Sequence, residues 1–336
     1  MQEALFYRKE KQGTVTCTLC PHLCEIRTGN SGSCRVRKNI DGTLFSEVYG
    51  KVASLAVDPV EKKPLYHFFP GKKILSLGNV GCNLHCSFCQ NHEISQCNPN
   101  DFLWFKTITP DQIAAYSRQI EDNIGVAYTY NEPFTFFEFM KDTAMKIRGE
   151  GLKNVVVSNG YINEAPLMEI LPFLDAFNID LKGFSDHFYR KMTKGSLQPV
   201  LNTLKIISES HAHLEITNLV VPGQNDDEVP FREMINWIAG EIGTGVPLHL
   251  SKYFPRYKLV TPATPAETLE NFYLIARQKL QYVYPGNISG DKRSDTFCPR
   301  CNAKHISRND YHIRLQSLNY NGDCIECGFQ TGIIFQ

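Results

Sequence analysis

Through the middle of this chain, short apolar runs alternate with amphipathic stretches. From Lys73 the segment KILSLG is apolar and ends in glycine immediately before a cysteine-rich loop, which reads as a strand feeding a functional loop. Thr109-Pro110-Asp111 then opens a capped helix with proline in its first turn, and Gly125–Tyr130 reads as the next strand. Further strands are expected over 152–159, 175–182, 213–221 and 246–253. Helical patterns near 134–149, 163–172, 197–210 and 226–240 separate them, and a last helix runs from Pro265 to about Gln281. Six strands alternating with helices predict right-handed βαβ units in a parallel sheet or barrel.

In a βα barrel the reactive groups gather at the C-terminal ends of the strands. Those ends carry Tyr128–Pro133, Ser158-Asn159-Gly160, Asp180-Leu181-Lys182, Asn218 with Val221–Asn225, and His249-Leu250-Ser251. Singly, a turn or capping role is the ordinary explanation for such residues. Five sets in register point to a shared site.

The chain has 336 residues, 42% of them hydrophobic, enough for one large core with small appended modules. The expected division is an N-terminal module over 1–65, a barrel over 66–285 and a C-terminal module over 290–336. Lysine plus arginine (35) balance aspartate plus glutamate (35), so no strong field steers the molecule toward nucleic acid or an anionic membrane. No stretch approaches the roughly 18 apolar residues of a bilayer span, and the first residues lack a secretion signal. A cytoplasmic protein with no membrane partner is expected.

Twelve cysteines are many for a reducing compartment, where thiols serve metals or catalysis. Cys82, Cys86 and Cys89 follow the first strand with C-x3-C-x2-C spacing. Three thiolates saturate three irons of a [4Fe–4S] cube and leave the fourth iron free for an outside ligand. Cys298 and Cys301, then Cys324 and Cys327, form two C-x2-C knuckles of a zinc ribbon or rubredoxin-like tetrathiolate. With about 47 residues from Gly290, that module is too short for a self-sufficient core, and a structural zinc is the economical reading. Cys17, Cys20, Cys24 and Cys34 fit neither pattern and leave structural zinc and an auxiliary iron–sulfur cluster equally open. Gly29, Gly32 and Gly42 suggest that this segment is loop-rich and bends around its metal. Cys97 stands alone, and inert packing is the ordinary fate of such a thiol.

Several motifs carry a resemblance: Cys17-x2-Cys-Pro-His-x-Cys24, Asp58–Leu65 (DPVEKKPL), Gly81–Asn91, Thr129–Pro133 and Asp180–Lys182. Together they resemble the radical S-adenosylmethionine (SAM) enzyme of the AmmeMemoRadiSam system. That family is similar in its core to the activating enzymes of pyruvate formate-lyase and other glycyl-radical enzymes. The resemblance implies a partial (β/α)6 barrel, a [4Fe–4S] cluster on Cys82, Cys86 and Cys89, and SAM lying across the strand ends. It places Tyr130, Asn131 and Glu132 at the SAM amino group, with Asn91, Ser158, Asn159, Asp180 and Lys182 nearby. Activating enzymes have Gly-Gly-Glu-Pro where this chain has Tyr130-Asn131-Glu132-Pro133, so local contacts should differ.

The implied activity is reductive cleavage of SAM to a 5′-deoxyadenosyl radical, which takes hydrogen from a substrate and needs an external one-electron donor. That substrate is a glycine of a partner protein or a small molecule. The neutral balance argues against nucleic acid, while Arg300, Lys304, His305, Arg308, His312 and Arg314 keep it open. Phe88, Tyr128, Tyr130 and Phe254 are candidate apolar walls. The rival reading is a non-enzymatic electron-transfer or binding protein, in which Cys97 or another cysteine closes the fourth iron. Without the resemblance, DPVEKKPL would pass for a solvated linker.

Overall fold

The structure, a computed structural model, describes residues 1–287 and 292–335. Its centre is an eight-stranded sheet whose spatial order follows the chain: β1 (Ser54–Pro59), β2 (Lys73–Gly78), β3 (Asn123–Tyr128), β4 (Lys153–Ser158), β5 (Ala176–Asp180), β6 (His213–Val220), β7 (Leu248–Lys252) and β8 (Val283–Gly286). From β2 onward every neighbouring pair is parallel, and β1 pairs antiparallel with β2. The edges β1 and β8 are not paired with each other among the described residues, so the barrel stays partial and can admit ligands.

Parallel strands covered on both faces need side chains that are apolar in succession. Accordingly Ile74, Leu75, Val126, Ala127, Val155 and Val156 are all fully buried. Each large aliphatic removed from water contributes about 1.5–3 kcal/mol. The crossovers are α1 (Pro110–Gln119), α2 (Phe137–Gly149), α3 (Glu164–Ile170), α4 (Leu197–Ser208), α5 (Glu228–Trp237) and α6 (Ala266–Arg277). Helix α1 starts where expected because Thr109 accepts from the Gln112 backbone N–H at 3.2 Å, and the Gln112 side chain accepts from the Thr109 N–H at 2.9 Å.

Two segments differ from expectation. DPVEKKPL is no solvated linker: Asp58 and Lys63 are buried and joined at 2.8 Å, with Asp58 inside β1. Val283–Gly286 adds a seventh parallel strand rather than simply leading the chain out. Gly290, where the C-terminal module was expected to begin, lies outside the described residues.

The N-terminal segment is more than loops around a metal. It forms two small antiparallel sheets, and Val15, Ile26, Val36 and Leu44 are fully buried in the same apolar cluster as the barrel core. A buried ion pair at 2.9 Å joins Arg37 to Glu138 of α2, and Glu138 also accepts from the Leu5 N–H at 2.8 Å. Breaking such a pair on one side typically costs about 3–5 kcal/mol.

At the other end of the chain, strands Thr296–Phe297, Lys304–Asn309 and His312–Leu315 form an antiparallel ribbon held to the segment before β2 through Arg308, which donates to the Tyr66 carbonyl at 2.7 Å. Of the basic set, Lys304, Arg308, His312 and Arg314 line one cavity with Asp295, which pairs with Lys304 at 2.7 Å, while His305 and Arg308 are buried. No helix among the described residues is long and apolar enough to cross a membrane.

Candidate active site

The loop after β2 wraps Cys82, Cys86 and Cys89 over the C-terminal edge of the sheet. Gly81 opens it with φ +86°, and a Cβ there would lie 2.6 Å from both the Cys34 carbonyl and Val36, so only glycine fits. Gly195 lies against Leu84, and the His85 and Ser87 amides donate to the Thr193 and Met192 carbonyls at 2.8 and 3.0 Å, fixing the loop from the far side.

Cys82, Cys86, Cys89, Asn91, Tyr130, Asn131, Glu132, Ser158, Asn159, Asp180 and Lys182 all line one cavity of about 350 Å³. That volume is within the range of small-molecule and cofactor sites. The three thiols form one wall, and Phe88 and Leu84, both buried, lie beside them. Cys97 is not in the lining; its Sγ meets the Asn98 carbonyl at 3.3 Å. Three cysteines therefore face the cavity without a fourth.

Glu132 is fully buried at the end of β3. Its Oε1 accepts from Ser158 Oγ at 2.8 Å and the Phe134 N–H at 3.1 Å, and its Oε2 accepts from the Asn159 N–H at 2.9 Å. Burial nonetheless pushes its carboxyl up to about 7. Asn159 Nδ2 lies 3.6 Å from Cys82 Sγ. Lys182 and Asp180 pair at 2.8 Å on the cavity wall, each satisfying part of the other's charge. Burial raises the Cys86 thiol to about 12, opposed by the Lys182 ammonium, so any metal it binds must displace a proton.

The other predicted residues separate by what holds them. Asn131 donates to the Gly81 and Val80 carbonyls at 2.8 and 3.2 Å and accepts from the Asn79 N–H at 3.0 Å, so its amide positions the start of the cysteine loop. Tyr130 adopts φ +72°, where glycine is at home, and its hydroxyl donates to Asp58 at 2.6 Å. A non-glycine residue held there costs about 1–3 kcal/mol, and the Asp58 contact offsets part of it. Burial alone would raise the Asp58 carboxyl, but Lys63 and Tyr130 hold it well below the usual carboxylate range. Asn91 reaches the same turn, donating to the Tyr130 carbonyl at 2.6 Å.

Asn218, Asn225 and His249 fall outside the cavity. Asn218 and Asn225 donate to the Leu181 and Lys182 carbonyls, each at 2.7 Å, and His249 meets Glu215 at 2.6 Å deeper in the barrel. Tyr128 is buried against Asn154, and Phe254 is exposed, leaving Phe88 and Tyr130 as the aromatic walls. Ser251, named among the strand ends, lines the cavity from β7; sequence reasoning missed Thr217 and Leu219, which line it from β6, and set Lys62 and Lys63 near it only by resemblance.

The ribbon thiols form a different kind of site. Cys298 and Cys327 Sγ are 3.5 Å apart, Cys301 and Cys324 Sγ 3.6 Å, and all four lie within 4.8 Å of one another. With metal–sulfur bonds of about 2.3 Å, a tetrahedral ion sets sulfurs about 3.8 Å apart. This is the geometry of a single-ion tetrathiolate.

A model of the radical SAM superfamily matches residues 78–236. Over 99% of its length the chain is 42% identical to the uncharacterized protein MJ0808 of Methanocaldococcus jannaschii, all of which is covered. The chain belongs to the radical SAM superfamily. It is also 21% identical to pyruvate formate-lyase 1-activating enzyme of Escherichia coli, across 44% of this chain and 61% of that one. Against the activating enzyme, then, the chain spans about three fifths of the relative. Among solved structures, Streptococcus suis SuiB bound to precursor peptide SuiA superposes with a TM-score of 0.51 at 12% identity, covering 69% of this chain and 52% of that one. That likeness is one of fold. Radical SAM proteins use SAM and a [4Fe–4S] cluster, and three unshared thiols on a cavity of this size fit both.

Proposed function

We propose that the cavity binds a [4Fe–4S] cluster on Cys82, Cys86 and Cys89 with SAM beside it, and that the protein is an enzyme of the AmmeMemoRadiSam type. One observation carries the reading: eleven residues from four separate segments converge on one cavity whose thiol wall has three cysteines and no fourth. The bound pair supplies one-electron cleavage of SAM to a 5′-deoxyadenosyl radical, able to abstract hydrogen from a substrate.

The chain's own residues then have distinct tasks. Glu132 accepts from the SAM ammonium, its orientation fixed by Ser158 and by the Phe134 and Asn159 amides. Lys182 meets the SAM carboxylate, and Asp180 both steers Lys182 and accepts from a ribose hydroxyl. Asn159 donates toward the Cys82 sulfur, while Phe88 and Leu84 keep water from the thiol wall. Asn91, Tyr130 and Asn131 act as positioning residues for the turn under SAM. The ribbon holds zinc.

The activating-enzyme likeness favours a glycine of a partner protein as substrate, with a small molecule as the other class, and the electron comes from an external one-electron donor. The test is anaerobic reconstitution with iron and sulfide, reduction with dithionite in the presence of SAM, and chromatography for 5′-deoxyadenosine. Turnover by the wild type and its loss in Cys86→Ala is expected. A fully loaded cluster that never cleaves SAM would favour the electron-transfer alternative.

A further inference from the structure

The N-terminal cysteines have no part in the chemistry just described, yet they meet. Cys17, Cys20, Cys24 and Cys34 line one small pocket together with Asn83 and Arg37. Their spacing is unlike that of the ribbon. Among the described residues, the ribbon is the one place where three or more ligand atoms of His, Cys, Asp or Glu all lie within 4.8 Å of one another. The N-terminal thiols share a pocket but stand farther apart than a single tetrahedral ion requires. Thiolates bound to separate irons of a sulfide-bridged cluster are on the order of 6 Å apart.

Two further features suit an electron-rich cluster. The Ser33 N–H points at Cys24 Sγ from 3.4 Å. Such N–H···S bonds are the usual outer shell of iron–sulfur sites. Arg37 is 1% exposed, its terminal nitrogens are held by Glu138 and the Leu5 carbonyl, and its buried Nε has no partner. An unsatisfied donor at such a site costs about 1–3 kcal/mol, which a sulfur acceptor would offset.

The pocket adjoins the catalytic loop. Asn83, next in the chain after Cys82, lines it; its carbonyl meets His22 Nε2 at 2.6 Å, and its side chain accepts at 2.9 Å from Asn159, the residue that also faces Cys82 Sγ. A single residue thus separates the two cysteine sites.

We propose that Cys17, Cys20, Cys24 and Cys34 hold a second, polynuclear iron–sulfur cluster that relays one electron to the centre on Cys82, Cys86 and Cys89. The relay rests on the function proposed above; the site does not. In the relay step the N-terminal cluster is oxidised by one electron and the central cluster reduced by one. No bond breaks, no proton moves, and a low-potential one-electron donor such as a flavodoxin-type protein restores the first cluster.

The experiment is anaerobic reconstitution of Cys82→Ala/Cys86→Ala/Cys89→Ala, with iron, sulfide and zinc counted and the Mössbauer spectrum recorded. The variant should retain about two to four irons with matching sulfide, and about one zinc in the ribbon. Absence of iron, or a second zinc, overturns the site. Should the variant not fold, the wild type answers: about four irons per chain refutes the site, and about six to eight supports it.

For the relay, Cys20→Ser/Cys24→Ser is compared with wild type in the rate at which a flavodoxin-type donor reduces the central cluster, followed by EPR. A slowing of at least tenfold is expected, and an unchanged rate refutes the relay. Both clusters loaded with no SAM cleavage would sink the radical reading and leave the second site standing.

Discussion

Replacing Glu132 by glutamine removes one negative charge from the cavity while nearly preserving shape. The carboxylate accepts three buried donors, so the amide retains most of this network but turns its NH2 toward one donor, at a cost of about 1–3 kcal/mol of stability. Against SAM the loss is larger in proportion. A charge-assisted bond to the ammonium contributes about 1.5–3 kcal/mol, so the Kd should rise roughly 10- to 150-fold. Because burial lifts this carboxyl to about 7, wild-type affinity should also fall as pH drops from 7.5 to 6, by up to about eightfold, as the group takes up its proton. The glutamine variant should show no such slope. The sign for folding is opposite: the folded chain holds this proton more tightly than the unfolded chain, so Glu132 lowers stability as pH rises from 4.5 toward 7. Equilibrium dialysis with labelled SAM on reconstituted protein reads the affinity, and a thermal melt and iron count check the fold. A variant within twofold of wild type, or one that keeps the pH slope, would refute the assignment of Glu132 to the ammonium.

Gly81→Ala forces a Cβ to 2.6 Å from the Cys34 carbonyl at a left-handed backbone position, so urea unfolding should show a loss of more than 2 kcal/mol on the order expected for strain plus overpacking, and iron loading should fall. Arg37→Met leaves Glu138 charged and buried without its cation and should cost about 3–5 kcal/mol; a loss below 1 kcal/mol would mean that water reaches the pair. Tyr130→Phe removes the hydroxyl donated to Asp58 at 2.6 Å and should cost about 1.5–3 kcal/mol in urea unfolding, with Lys63 still holding the carboxylate. Stripping the ribbon metal with a strong chelator should make residues 296–335 protease-sensitive before the barrel unfolds, seen as a shortened fragment by mass spectrometry.

The βα alternation and the cysteine loop were readable because each is local: a period of apolar residues and a three-thiol spacing. The strand ends were harder because side chains alternate across a sheet and sit at successive depths. Thr217 and Leu219 face the cavity while Asn218 between them turns to the Leu181 carbonyl; His249 lies on the inward side like Ser251 but one layer deeper, with Glu215. Strand position alone could not separate them without the register. Asp58 and Lys63 looked solvated because their partner Tyr130 is 72 residues from Asp58, beyond any local pattern. The N-terminal packing was hidden for the same reason, since Arg37 finds Glu138 only across 101 residues.

That last separation bears on how the chain is made. The N-terminal segment leaves the ribosome before the barrel, yet the Arg37 charge and the Leu5 amide lack their carboxylate until Glu138 emerges. At about 5–20 residues per second, 101 residues take roughly 5–20 s to synthesise. Through that interval the four N-terminal thiols are in a nascent segment whose core has not closed, open to whatever metal arrives first, so loading this pocket correctly depends on the second and third strands of the barrel being finished in time.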